Sequence, residues 1–114
     1  MIAYLDASAL VKRYLLEPGS RETLALTAES EMVATSIISR AEVAAAFAKA
    51  VRLDLVTEHV ARKAQRSFDR DWQDLLRVPI TEALIDRART LAWNQALRGY
   101  DAVQLASALM WQES

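Results

Sequence analysis

The sequence predicts an α/β protein, a small parallel sheet flanked by helices in a three-layer α/β/α arrangement. Three observations lead there. Short apolar runs (Ile2–Leu5, Met32–Thr35 and Val78–Ile80) are each followed by two stretches with helical spacing. Strands separated by helix pairs call for parallel pairing through crossover helices. The chain of 114 residues carries 21 alanines and only two glycines and two prolines, a composition for close-packed helices and short connections.

Ile2–Leu5 contains an aromatic and a branched residue and reads as a buried strand, apolar on both faces. Ala7–Leu16 then turns helical, with Leu10, Val11, Tyr14 and Leu15 on one face. Asp6 stands at the junction. Pro18-Gly19 marks a turn, and Ser20 is placed to cap a helix reaching Glu29, with Leu24 and Leu26 as its apolar content. Met32–Thr35 is the second strand. Ser39 opens a helix whose core face is Val43, Ala46, Phe47, Ala50 and Val51. Thr57 starts a long helix with Ala61, Ala64, Phe68, Trp72, Leu75 and Leu76 as its buried stripe. Val78–Ile80 is a minimal third strand, and Pro79 suits an edge. Thr81 caps a helix burying Leu84, Ile85, Ala88, Leu91 and Ala92, and Gly99 is read as its stop. Asp101 begins the last helix, with Val103, Leu105, Ala106, Leu109 and Met110 inside. The whole is expected to be one domain over residues 1–114.

Composition excludes several functions. Without cysteine there are neither disulfides nor thiolate metal sites, and a cytoplasmic location is expected. No uncharged apolar run approaches ~18 residues, so no membrane span is expected. A formal charge of −1 supplies no bulk attraction to nucleic acid, so any such contact depends on a local patch.

Three acids stand at element ends: Asp6, Glu42 and Asp101. Each has a purely structural account. Asp6, with Ser8, is placed to cap the first helix; Ser39-x-x-Glu42 has the form of a capping box; Asp101 is a candidate N-cap. Their chemical account is a shared site at the carboxyl ends of the strands, where α/β sheets bind ligands. Converging carboxylates without a neighbouring His or Cys suit a hard cation such as Mg²⁺ or Mn²⁺, which can activate water and neutralise a phosphodiester. His59 is isolated, and Arg62, Arg66 and Arg70 interleave with Glu58, Asp69 and Asp74 as a salt-bridged solvated face. Lys12, Arg13 and Arg40, close in sequence to the acids, are the candidate phosphate contacts. The order strand-Asp6-Ala7-Ser8 resembles that of aspartyl phosphotransferases, but their second aspartate is Ser8 here.

LDASALVKRY, ATSIISRAEVAAA and LRGYDAVQLASAL resemble the acidic motifs of PIN-domain ribonucleases, particularly VapC-type toxins of toxin–antitoxin pairs. The resemblance runs through the chain, including VPITEAL. It implies a PIN fold, Asp6, Glu42 and Asp101 as catalytic metal ligands, and Ser8 as a supporting hydroxyl. It also implies an RNA substrate, an antitoxin protein partner and homodimerisation. Family members usually continue into a strand ending in a fourth acid and a closing helix; here the sequence ends at Trp111-Gln112-Glu113-Ser114. The resemblance therefore implies a domain without that last strand and helix, with Ile2–Leu5 lacking a neighbour on one side and activity reduced. The rival expectation is a PIN-like module that binds an antitoxin or its own copy without cleaving anything.

Overall fold

A computed structural model describes residues 1–114 and contains the expected alternation. The elements are β1 (Ile2–Tyr4), α1 (Ala7–Val11), α2 (Ser20–Glu29), β2 (Met32–Ser36), α3 (Ser39–Arg52), α4 (Glu58–Asp71), β3 (Leu76–Val78), α5 (Glu82–Gln95) and α6 (Gly99–Glu113), with a 3₁₀ turn at Trp72–Asp74. The three strands are parallel in the order β1-β2-β3, with Ile2 opposite Met32 and Ala34 opposite Leu76.

Alternation along the strands divides the core into two. Leu5 and Val33 point into one layer with Leu10, Val11 and Leu15 and with Val43 and Phe47 of α3. Ala61, Ala64 and Phe68 of α4 complete it, with Trp72 and Leu75 beyond. Tyr4 and Val78 point the other way, against Leu84 and Ala88 of α5 and Ala102, Val103 and Ala106 of α6. Helices therefore cover both faces, giving the PIN-like three-layer α/β/α arrangement. β2 is the middle strand, and β1 pairs with β2 alone, the one-sided pairing expected of Ile2–Leu5. β3 lies on the opposite edge as expected but two residues earlier than the Val78–Ile80 run: it stops before Pro79, which has no N–H for the ladder.

Local rules and tertiary packing disagree at several places. Thr57 and Thr81 cap α4 and α5 as expected, accepting from the amides of Val60 and Leu84. Ser20 does not cap α2. It is the helix's first residue, buried, and its hydroxyl bridges the Leu15 carbonyl and the Glu17 amide. The cap position belongs to Gly19 at φ 94, a left-handed conformation that favours glycine. Leu24 and Leu26 are exposed, because α2 buries little beyond Ser20. The first helix ends at Val11 and continues to Tyr14 through tighter i→i−3 bonds, which still deliver Leu15 to the core. The long stripe of α4 also breaks: the helix stops at Asp71, and Leu76 opens β3. Ile85 and Leu105, assigned to the interior, lie on the surface. Gly99 does not end α5. Ala96 does so in the left-handed region (φ 53), and Gly99 opens α6.

The charged face of α4 is solvated, with an Arg62–Glu58 pair at 3.2 Å and a Gln65–Asp69 hydrogen bond at 2.8 Å. Tyr14 anchors the loop after α1: its hydroxyl donates to Asp71 at 2.9 Å and its ring meets Phe68 edge-on at 5.5 Å.

Candidate active site at the carboxyl edge of the sheet

Leu5 continues β1 by donating its amide to the Ala34 carbonyl at 2.9 Å, and Asp6 follows in extended conformation as the N-cap of α1. One carboxylate oxygen, Oδ1, accepts from the Ala9 amide (2.9 Å) and from the Ser8 hydroxyl (2.8 Å). The capping account of Asp6 is therefore correct. It occupies only that one oxygen, and Oδ2 makes no protein bond. Asp101 lies on the first turn of α6, two residues past Gly99, and the cap position is held by Arg98. Its side chain is largely exposed, with the Arg98 guanidinium 4.0 Å away. Asp6 and Asp101 line one open cleft of about 510 Å³ together with Tyr4, Ala9, Gln104, Leu105 and Ala108.

Glu42 joins them through Gln104. The Ser39–Glu42 capping box does not form: Ile38 takes the cap position, and the buried Ser39 hydroxyl is committed to Thr35 (2.7 Å) and Gln104 (2.9 Å). Oε1 of Glu42 instead accepts from Nε2 of Gln104 at 2.7 Å. Glu42 and Asp101 both stand in the first turns of long helices, whose N-terminal partial charge favours a carboxylate.

Of the basic candidates, Lys12 pairs with Glu17 at 3.0 Å. Arg13 turns to the far end of the sheet, where it lines a recess with Met32, Asp71 and Asp74 and buries Nη1 without a partner. Arg40 is exposed on the first turn of α3, two residues from Glu42, and makes no ion pair. The structure thus brings Asp6, Ser8 and Asp101 to one edge with Glu42 tied in through Gln104, and it separates Arg13 from them.

Tyr4 and Gln104 are site residues that the sequence reading missed. The available signal was a lone polar residue in the apolar run Ala102–Ala106, three positions after Asp101 and hence on the same helix face. Burial pushes the Tyr4 phenol up to about 12, the nearby Ser107 and Ser36 oppose this, and the Asp6 and Glu42 charges add to it. Burial likewise raises Tyr14 above its ordinary value of 10. The folded protein holds these protons more tightly than the unfolded chain, so their contribution to stability is complete below pH 10. For Tyr4 that contribution is lost as pH rises from 10 toward 12. In an alkaline titration followed by tyrosinate absorbance and circular dichroism, the two buried tyrosines are expected to ionise together with loss of helix. Their ionisation at pH 10 with the fold intact would contradict this.

No three carboxylates or imidazoles stand close enough together to hold a metal ion as the chain is folded here. The donors themselves are hard oxygens of the kind Mg²⁺ and Mn²⁺ take, and Asp6 retains an open oxygen at the cleft. The chemistry of the set therefore fits such an ion.

A three-layer α/β/α domain with acids at the carboxyl edge of its parallel sheet belongs to the α/β class, whose members bind ligands at that edge. The family model for the PIN domain matches residues 3–110, and the chain belongs to that family. It is similar to Ribonuclease VapC45 of Mycobacterium tuberculosis (strain CDC 1551 / Oshkosh) and to Ribonuclease VapC49 of Mycobacterium tuberculosis (strain ATCC 25618 / H37Rv). Each is 39% identical over 108 residues, covering 95% of this chain and 75% of the relative.

Proposed function

We propose that this chain is a toxin-type endoribonuclease that hydrolyses RNA phosphodiester bonds with the help of Mg²⁺ or Mn²⁺. The observation carrying this reading is that Asp6 and Asp101, from opposite ends of the chain, line one cleft to which Gln104 ties Glu42. Asp6, Glu42 and Asp101 are the ligands and catalytic residues in this reading. Ser8 steadies Asp6, and Arg40 meets RNA phosphate. Lys12 and Arg13 have weaker claims, given their partner and their position. The ion supplies a Lewis acid that activates water and offsets phosphodiester charge. Residues 1–114 act as one PIN domain, located in the cytoplasm, with an antitoxin protein and a second copy of the chain as partners. No helix is long and apolar enough to cross a membrane.

A second reading, a PIN-like module that binds an antitoxin or itself without cleaving, is favoured by the lack of a closed three-acid cluster. Metal binding separates the two. The nuclease reading expects Mn²⁺ to raise the melting temperature, and single-stranded RNA to be cut only when Mg²⁺ or Mn²⁺ is present. No thermal shift and no cleavage at millimolar metal would leave the binding module.

A further inference from the structure

We propose that Gln104 is the positioning residue of the site, holding the Glu42 carboxylate in place through a hydrogen-bond chain with only one possible direction. The direction follows from counting donors. Thr35 Oγ1 donates to the Leu5 carbonyl at 2.6 Å, so in the Thr35–Ser39 contact (2.7 Å) Ser39 is the donor. Ser39 Oγ then accepts one Nε2 hydrogen of Gln104 (2.9 Å), and Glu42 Oε1 accepts the other (2.7 Å). Oε1 of Gln104 accepts from the Tyr4 hydroxyl at 2.7 Å. A flipped amide would turn an oxygen toward the Glu42 carboxylate and toward the Ser39 lone pairs, so the orientation is determined by its neighbours. Every polar atom of this buried amide is satisfied.

The chain of bonds holds one acid, Glu42, and passes close in sequence to the other two. It ends on the carbonyl of Leu5, the residue before Asp6. It holds Glu42 directly, and Gln104 stands one turn from Asp101 on the same helix. Losing a group that orients a metal ligand in this way typically costs about 10- to 100-fold in metal affinity or activity. The geometric claim stands on the contacts alone, and its consequence for activity rests on the nuclease reading.

The decisive variant is Gln104→Met, which keeps length and volume but removes the donors and the acceptor. Its Mn²⁺ affinity is expected to fall about 10- to 100-fold, with kcat for RNA cleavage falling more than KM rises. Thr57→Ala, which weakens the cap of α4 away from the cleft, serves as the stability control and should lower the melting temperature without moving Mn²⁺ affinity. Equal Mn²⁺ affinity in Gln104→Met and the parent would overturn the proposal. So would equal losses in Gln104→Met and Thr57→Ala, which would reduce Gln104 to a structural role. A readout independent of metal is the Gln104 side-chain amide by NMR, where two distinct, protected protons are expected and Glu42→Ala should move one of them. A freely averaging amide indifferent to Glu42→Ala would overturn the positioning claim even if the nuclease reading held. Protected protons in a parent that binds no Mn²⁺ would uphold the positioning and sink the nuclease.

Discussion

Asp6→Asn leaves the fold standing and removes the metal response. Asparagine caps helices about as well as aspartate, and its Oδ1 can keep both the Ala9 amide and the Ser8 hydroxyl. The metal-free variant is therefore expected to melt within about 0.5 kcal/mol of the parent. What changes is the charge on Oδ2, the oxygen that no protein group occupies. An ion present at a hundred times its Kd adds about 2.7 kcal/mol to the parent's stability, and the variant should gain almost none of it. Cleavage should fall at least about 100-fold, since even outer partners of metal ligands can cost that much. Thermal unfolding of parent and variant with and without millimolar Mn²⁺ is the measurement. Identical metal-induced shifts in the two would reduce Asp6 to a helix cap.

Phe68→Ala is expected to cost the most stability of any single truncation considered. The ring is fully buried, meets Tyr14 edge-on at 5.5 Å and lies tilted against Trp72 at 5.6 Å. Truncating a buried phenylalanine costs about 3–5 kcal/mol through lost transfer energy and an unfilled cavity. Its aromatic contacts contribute roughly 0.5–1.5 kcal/mol each within that total. Domains of this size hold about 5–15 kcal/mol in all, so the variant should be marginal at physiological temperature. Phe68 shares its core layer with Leu10 and Val11 of α1, so the same change should loosen the support beneath Asp6. Urea unfolding of the two proteins would settle it, and a loss below about 1.5 kcal/mol would mean that the layer closes over the gap.

What the sequence by itself determined follows short-range rules. Alternating strand and helix-pair stretches suffice for the element order and the parallel sheet, because periodicity within a segment depends on that segment alone. Thr57 and Thr81 cap their helices for the same reason: a side-chain oxygen needs only the amide three residues on. Asp6 was legible as a carboxylate at a strand end, both as a cap and as a candidate ligand. Contacts between distant segments decided the rest. Ser39 and Glu42 have the letters of a capping box, but Thr35 and Gln104 take their polar atoms, and Gln104 arrives from a helix 62 residues further along. Arg13 is adjacent in sequence to Lys12, yet the tight turns after α1 carry it to the amino end of the sheet. The stripe of α4 stops at Asp71 because Leu76 is needed beside Ala34 in the sheet. A local pattern records which bonds a segment can make. Which of them it does make depends on what the rest of the chain brings within about 3 Å, and that is a property of the tertiary fold.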